Sequence, residues 1–233
     1  MKCYYDLHIH SALSPCGDND MTPNNIVNMS VLKGLDVIAV SDHNTCGNVR
    51  AVQKAAEGRL LVIPAMEIET AEEIHMLALF PSIEAAEEME KIVKKHLPKI
   101  KNRTEIFGNQ YYMDENDEIT GEEEYLLVTA SGIDLYKTYT CVKDLGGILI
   151  PAHIDRHSYS IISNLGFIPP DISFPCLEIS AGAQANFKDN YKNFNIITNS
   201  DAHYLGDISE KTHFFEIDNK ITKKIFETLC KIT

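Results

Sequence analysis

Asp6-Leu7-His8-Ile9-His10, close to the start of the chain, predicts a strand that carries a metal-binding face. Successive side chains of a strand point to opposite faces, so the acid and the two histidines project together while Leu7 and Ile9 face the other way. Two imidazoles at this spacing can bind one cation, and a neighbouring carboxylate can orient a ring. The same pattern is also compatible with two exposed histidines on an edge strand. This motif alone does not distinguish a metal-binding face from that alternative.

The chain has 233 residues and a formal net charge of −13, a length typical of one α/β domain. Because the phosphate backbone attracts clustered Lys and Arg, this acidity argues against long duplex nucleic acid as a partner. An enzyme that acts on phosphates is not excluded, since bound divalent cations reverse the sign of the local field.

The six cysteines are scattered and form no C-x-x-C pair, a pattern typical of free thiols in a reducing compartment. No signal-peptide pattern follows Met1, and no apolar run approaches the roughly 20 residues that cross a bilayer. We therefore expect a cytoplasmic protein without membrane contact. The sequence leaves the oligomeric state open.

Short apolar segments alternate with helical segments along the chain. Thr22-Pro23 predicts the start of a helix and Gly34 its end, and the apolar run 35–40 then predicts a buried strand. Repetition of this unit favours a parallel β/α barrel in a single domain over residues 1–233. Residues 107–128 differ, because tyrosine-rich segments flank an acidic, turn-rich centre that predicts a hairpin or flap.

Polar side chains gather at the predicted strand ends. In a barrel of parallel strands the carboxyl ends meet on one face, so residues distant in sequence can form one site there. The residues at these positions are His8, His10, Asp42, His43, Glu67, His75, His153, Asp201 and His203.

The order of these motifs resembles the PHP (polymerase and histidinol phosphatase) superfamily of metal-dependent phosphoesterases. The resemblance covers about residues 3–204. It is carried by D-L-H-I-H-S at 6–11, S-D-H-N-T at 41–45, Glu67 in P-A-M-E-I-E, His75 in E-I-H-M-L, P-A-H at 151–153 and N-S-D-A-H at 199–203.

The resemblance implies a distorted (β/α)7 TIM-like barrel with two or three divalent cations at the carboxyl ends of the strands. His8, His10, Glu67 and Asp201 would bind the first cation; Glu67, His75 and His153 the second; His43 and His203 the third. Mixed imidazole and carboxylate ligands suit Zn²⁺, Mn²⁺ or Fe²⁺. The chain departs from the family where Pro15 replaces a common ligand, so Cys16 or Asp18 is expected to substitute, or the third site is weak or absent.

Such a centre activates a water for attack on phosphorus. We expect Glu67, Asp201 and His203 to act in catalysis, with Asp42 orienting the site. Arg156 and His157 follow His153 on a loop and are candidates for binding the substrate phosphate, although Arg156 also suits a surface ion pair.

The leading hypothesis is a hydrolase of phosphomonoesters or phosphodiesters in a small metabolite or nucleotide. A phosphatase, a nucleotidase and an exonuclease for short oligonucleotides all fit this description. One alternative is a non-catalytic metal-binding regulatory module on the same fold. Another is a metal-dependent C–N hydrolase, which would share the H-x-H motif and a late aspartate.

Overall fold

A mixed β-sheet forms the frame of the computed structural model, which describes residues 1–184 and 186–231. Its first strand contains the H-x-H motif. The strands among these residues are β1 (Lys2–Ile9), β2 (Val37–Val40), β3 (Leu61–Glu69), β4 (His75–Leu79), β5 (Tyr111–Met113), β6 (Ile119–Glu122), β7 (Ile148–Pro151), β8 (Leu177–Ser180), β9 (Ile196–Asn199) and β10 (Phe214–Glu216).

Four of the described α-helices begin at a residue whose side chain caps the helix. Thr22 accepts a hydrogen bond from the Asn25 amide and precedes Pro23, and Ser82 and Asp134 cap two later helices in the same way. The α-helices of the described residues are α1 (Pro23–Leu32), α2 (Val49–Ala56), α3 (Ile83–His96), α4 (Thr104–Phe107), α5 (Leu135–Asp144), α6 (Ile161–Leu165) and α7 (Thr222–Leu229).

The main sheet has the order β10-β1-β2-β3-β4-β7 and is not fully parallel. β1, β2 and β3 pair in parallel, whereas β4 runs antiparallel to both β3 and β7. The expectation of parallel strands throughout is therefore wrong at β4. The reason is the short connection from Thr70 to Ile74, which allows a hairpin but is too short for a parallel crossover.

β8 and β9 form a separate parallel pair. One bridge joins Ile9 to Ala202 beside β1, and the Ile154 amide after β7 donates to Glu178 of β8 at 2.9 Å. Across the described residues the paired strands form a curled half-barrel. Isolated backbone hydrogen bonds, instead of continuous strand pairing, connect β8 and β9 to the main sheet. The coarse expectation of a mixed α/β domain is confirmed, while a regular (β/α)7 barrel is not what the ladders form.

A short antiparallel hairpin of β5 and β6 follows α3. Asn48 holds β5 through two bonds: its side-chain amide donates to the Tyr111 carbonyl at 3.0 Å, and its oxygen accepts from the Met113 amide at 2.9 Å. Lys94 of α3 contacts Tyr112, whose hydroxyl donates to Glu123 at 2.6 Å. The hairpin is thus fixed against α3 and the loop before α2.

Apolar side chains from the strands fill the interior beneath the strand ends. Leu7, Ile63 and Leu77 are fully buried in this interior cluster, whereas Ile9 and Ile38, also fully buried, belong to a second apolar cluster that includes residues of α1, α2 and α3. No described helix combines the length and hydrophobicity that crossing a membrane requires.

Candidate metal centre

Glu67, near the end of β3, is a buried carboxylate surrounded by five imidazole rings from four different segments. Its two oxygens lie 3.0–3.4 Å from ring nitrogens. The contacts are His8 Nε2 at 3.3 Å, His10 Nε2 at 3.4 Å, His43 Nδ1 at 3.0 Å, His75 Nδ1 at 3.1 Å and His153 Nε2 at 3.2 Å.

Asp201 follows β9 and supplies a second carboxylate to the same cluster. Its Oδ1 lies 3.3 Å from His8 Nε2 and 3.0 Å from His10 Nε2, and its Oδ2 lies 2.6 Å from the Arg156 guanidinium. The curled sheet brings β1, β3 and β9 to one edge, which explains how residues nearly 200 positions apart meet there.

A third buried acid, Glu178 on β8, orients His8 from behind. Its oxygens lie 3.0 and 3.1 Å from His8 Nδ1, and one of them also accepts from the Asn199 amide at 3.1 Å. An ionised carboxylate only accepts, so Nδ1 carries a proton, and in the neutral ring Nε2 presents a lone pair to the cluster. This arrangement is typical of metal-binding histidines.

His10 is oriented by a relay through Ser14. The Ser14 hydroxyl donates to Asp42 Oδ1 at 2.7 Å and therefore accepts from His10 Nδ1 at 2.9 Å. Asp42 also accepts from the Ser11 amide and hydroxyl, at 2.7 and 2.6 Å. Asp42 thus fixes the loop after β1 and leaves His10 Nε2 with a free lone pair toward Asp201.

The donor set fits divalent cations. In the neutral ring the lone pair of His8 Nε2 faces carboxylate oxygens of Glu67 and Asp201, an arrangement that is repulsive unless a metal ion or a proton lies between them. His8 Nε2, His43 Nδ1 and Glu67 Oε2 are buried and have no hydrogen-bond partner among the described residues. Three groups of side chains could each bind an ion: His8-His10-Glu67-Asp201, His43-Glu67-His75 and His10-His43-His203.

The pKa directions show the same demand for positive charge. Desolvation opposes protonation of His8, yet Glu178, Glu67 and Asp201 raise its pKa well above the usual histidine value. Burial alone would raise the pKa of Glu67, but the histidines around it hold that pKa well below its ordinary value. Positive charge, supplied by protons or by metal ions, is therefore favoured at this centre.

The outer part of the cluster is more open. The His203 side chain is 23% exposed, and its Nδ1 donates to the Asp201 carbonyl at 2.9 Å. Cys16 is exposed and lies beside His43 and His203; desolvation opposes ionisation, but these rings lower the pKa of its thiol to about 6. Asp18 does not join the cluster, because its carboxylate accepts from the Asp20 amide at 2.8 Å.

The loop from His153 to Ser160 carries the predicted phosphate contacts. Arg156 is half exposed and pairs with Asp201, whereas His157 is exposed. Tyr159, which the sequence interpretation did not single out, stacks on His75 with the ring centroids 4.9 Å apart. The structure thus brings Arg156 to the cluster and leaves His157 at the surface.

Backbone strain collects at the same edge. His153 and Asp201 have φ values of 29° and 53°, and Asn44 and Tyr159 have 56° and 55°. Residues other than glycine rarely adopt this left-handed region, and such conformations concentrate at functional sites.

The PHP domain family matches residues 6–169 of the chain. An uncharacterized protein from Methanocaldococcus jannaschii is 29% identical over 162 residues, which is 70% of this chain and 18% of that protein. The chain therefore spans less than a fifth of the length of this relative.

Two solved structures with this fold are endonucleases. The lesion-specific endonuclease PfuEndoQ from Pyrococcus furiosus matches with a TM-score of 0.72 and 20% identity, over 99% of this chain and 56% of that chain. Endonuclease Q in complex with a 27-mer duplex substrate, with an abasic lesion at the active site, matches with a TM-score of 0.74 and 20% identity, over 98% and 56%. The chain spans about half the length of these endonucleases.

The second endonuclease structure corrects the exclusion of long duplex nucleic acid. A protein with this fold has been solved with a 27-mer duplex, so the expectation of small phosphorylated partners alone is wrong. The net charge of −13 is a sum over the whole chain, whereas binding depends on the local field beside the site.

Proposed function

The chain belongs to the PHP domain family, and from this premise we propose that it is a metal-dependent hydrolase of phosphodiester bonds in nucleic acid. The observation that carries the proposal is the convergence of five histidines on the buried carboxylate of Glu67, next to Asp201. Two divalent cations side by side supply the charge that activates water and stabilises the departing oxygen.

The inner ligands are proposed from the contacts at Glu67. Glu67 would be shared by two cations, because it contacts the histidines proposed for both of them. Its Oε1 faces His8, His75 and His153, and its Oε2 faces His10 and His43. The first cation would be held by His8, His10, Glu67 and Asp201, and the second by Glu67, His75 and His153. Zn²⁺, Mn²⁺ and Fe²⁺ all suit this mixture of nitrogen and oxygen ligands.

A third cation would lie between His43 and His203, with His10 nearby. Cys16 is the residue placed to complete this group, since its thiol lies beside both rings. Asp18 is the weaker substitute, because its carboxylate is engaged with the Asp20 amide.

The remaining residues hold the substrate or move protons. Arg156 offers donors to a phosphate oxygen at the edge of the cluster, and His157 lies farther out on the same loop. His203 donates through Nδ1 to a carbonyl, so its Nε2 is the atom that would either bind the third cation or, in a protonated ring without that cation, pass a proton to the leaving oxygen. Asp42 acts through Ser14 and His10 and is a positioning residue.

Nucleic acid is the proposed substrate class because two solved structures of endonuclease Q share the fold over nearly the whole chain. The proposal concerns the hydrolytic centre contained in these residues. The six free cysteines remain consistent with the cytoplasmic location that the sequence predicts.

The direct test measures hydrolysis and metal content together. Protein purified without chelator is analysed for Zn, Mn and Fe, and then given bis-p-nitrophenyl phosphate, p-nitrophenyl phosphate, a cyclic amide, and end-labelled single- and double-stranded DNA, each with added Mn²⁺. We expect cleavage of the diester and of DNA, abolished by His8→Ala with the circular dichroism spectrum retained. Cleavage of the monoester alone would replace the proposal by a phosphatase, and cleavage of a cyclic amide alone by a C–N hydrolase. Bound metal without any turnover would indicate the regulatory module.

A further inference from the structure

The loop between β7 and α6 presents an aromatic ring that the proposed metal centre does not use. Tyr159 stacks almost parallel to His75, with an interplanar angle of 18° and centroids 4.9 Å apart. Tyr159 is nevertheless 45% exposed. His75 covers one side of the ring, and the exposed part leaves space for a second planar group.

The backbone holds this ring in place. Tyr159 has a φ of 55°, a conformation that is unfavourable for a bulky residue, and its carbonyl accepts from the His75 amide at 2.8 Å. Ser160 caps α6 and donates to the Arg156 carbonyl at 2.8 Å. The Asp155 carboxylate accepts from the Ser180 amide at 2.8 Å. The loop therefore displays Tyr159 from a fixed position.

Arg156 lies on the same loop and pairs with Asp201 at 2.6 Å, while 44% of its side chain stays exposed. A cationic group and an exposed ring thus stand at one edge of a centre suited to phosphate esters. Proteins that bind unpaired nucleic acid combine these same two elements, basic groups for the backbone and aromatic faces for the bases. A nucleotide is the ligand class that carries both a phosphate and a flat ring.

We propose that Tyr159 forms a base-stacking subsite, which takes an unpaired nucleobase next to the phosphodiester at the metal centre. The inference rests on the proposed function, because that function supplies the phosphodiester. Stacking uses the face that all bases share, so this subsite favours unpaired over paired bases without selecting a particular base.

The test uses fluorescence of 2-aminopurine placed in a short single-stranded oligonucleotide, which is titrated with the full chain in the presence of a chelator. Stacking on Tyr159 is expected to quench the fluorescence. Tyr159→Ala should weaken binding by about fivefold to a hundredfold and abolish the quench, since stacking on aromatic residues has this magnitude. Tyr159→Phe should keep both the binding affinity and the quench, because stacking does not need the hydroxyl.

Phe214→Ala is the matched control, an exposed ring on β10 that packs against Tyr4 at the far end of β1 from the cluster. This variant should bind like the unmodified protein. If Tyr159→Ala keeps the affinity and the quench but contains less metal when purified without chelator, Tyr159 only holds His75 and the subsite is overturned. A loss of affinity equal in Phe214→Ala would overturn it as well.

The two proposals fail separately, because binding is measured without turnover. Quenched binding without any hydrolysis would overturn the proposed function and keep a nucleotide-binding surface. Hydrolysis with binding that ignores Tyr159 would overturn the subsite and keep the function.

Discussion

The inner and outer parts of the metal centre differ in how firmly the protein holds them. The inner part, around Glu67, is buried, and its histidines are oriented by further buried groups such as Glu178 and Ser14. The outer part, with Cys16, His203 and Arg156, reaches solvent. The difference indicates that the fold preorganises the inner side chains, whereas the outer ones are accessible from solvent.

The largest effect is expected from Glu67→Gln, which removes the negative charge that the five inner histidines surround. Metal content should fall, and diester hydrolysis should drop by about a thousandfold or more, because metal ions supply several kcal/mol of transition-state stabilisation and ~1.4 kcal/mol is tenfold in rate. Elemental analysis and the p-nitrophenol assay measure both quantities.

Glu69→Gln serves as the control for that substitution. Glu69 is also buried on β3, but its nearest cluster contact is His75 at 3.8 Å. Glu69→Gln should therefore lower the metal content and the rate of diester hydrolysis much less than Glu67→Gln does. Equal losses from both variants would mean that the buried carboxylates of β3 act alike and that Glu67 is not the centre.

Glu178→Gln tests whether the inner part depends on its supporting groups. The substitution keeps the shape but removes the ionised acceptor of the His8 Nδ1 proton, so metal affinity should fall by about 10–100-fold. A competitive chelator titration measures this. Unchanged affinity would show that β1 orients His8 without help from β8.

The outer part is tested by the reactivity of its thiol. The pKa of Cys16 is lowered to about 6, whereas burial raises the pKa of Cys230, the other exposed cysteine. In metal-free protein at pH 7, iodoacetamide should therefore modify Cys16 about tenfold faster than Cys230, measured by peptide mass analysis. Added Zn²⁺ should protect Cys16 if the thiolate is a ligand; modification at the same rate with Zn²⁺ would remove Cys16 from the third site.

The smallest effect concerns the interior below both parts. Cys176 is fully buried, and desolvation raises its pKa well above the ordinary thiol value. The folded protein keeps this proton while the unfolded chain loses it, so the stabilisation is complete below about pH 8.5 and is lost as pH rises, by up to ~1.4 kcal/mol per pH unit. Urea titrations from pH 7 to 10 should show a shallower decline for Cys176→Ala, and parallel curves would contradict the assignment.

Much of the architecture could be predicted because it depends on local signals. Thr22, Pro23 and Gly34 define α1 through capping and backbone preferences, and the apolar run before Ser41 defines a strand. The motifs at strand ends indicated which residues meet, and the structure brings His8, Glu67, His153 and Asp201 together. Their role as ligands stays a prediction.

Other features have weak or no local signals. The reversal of β4 depends on a hairpin whose acidic residues give little sign of a turn. Glu178 could have been noticed, because a charged residue in the short apolar strand Leu177–Ser180 is costly unless it is paired. The position of Tyr159 could not have been predicted from the sequence, since its left-handed backbone is imposed by surrounding contacts and tyrosine has no preference for that conformation.

The antiparallel direction of β4 also determines at which end of the sheet an insertion would emerge. β4 begins at His75 beside the cluster and descends, so α3 climbs back and delivers β5 and β6 to the upper end. If β4 ran parallel to β3, the hairpin of β5 and β6 would instead lie at the end of the sheet away from the cluster. The turn at residues 114–117 contacts Asn24 of α1 and Lys54 of α2, so lengthening it would extend the hairpin over these two helices, whereas an insertion at residues 80–82 would emerge at the end of β4 away from the cluster.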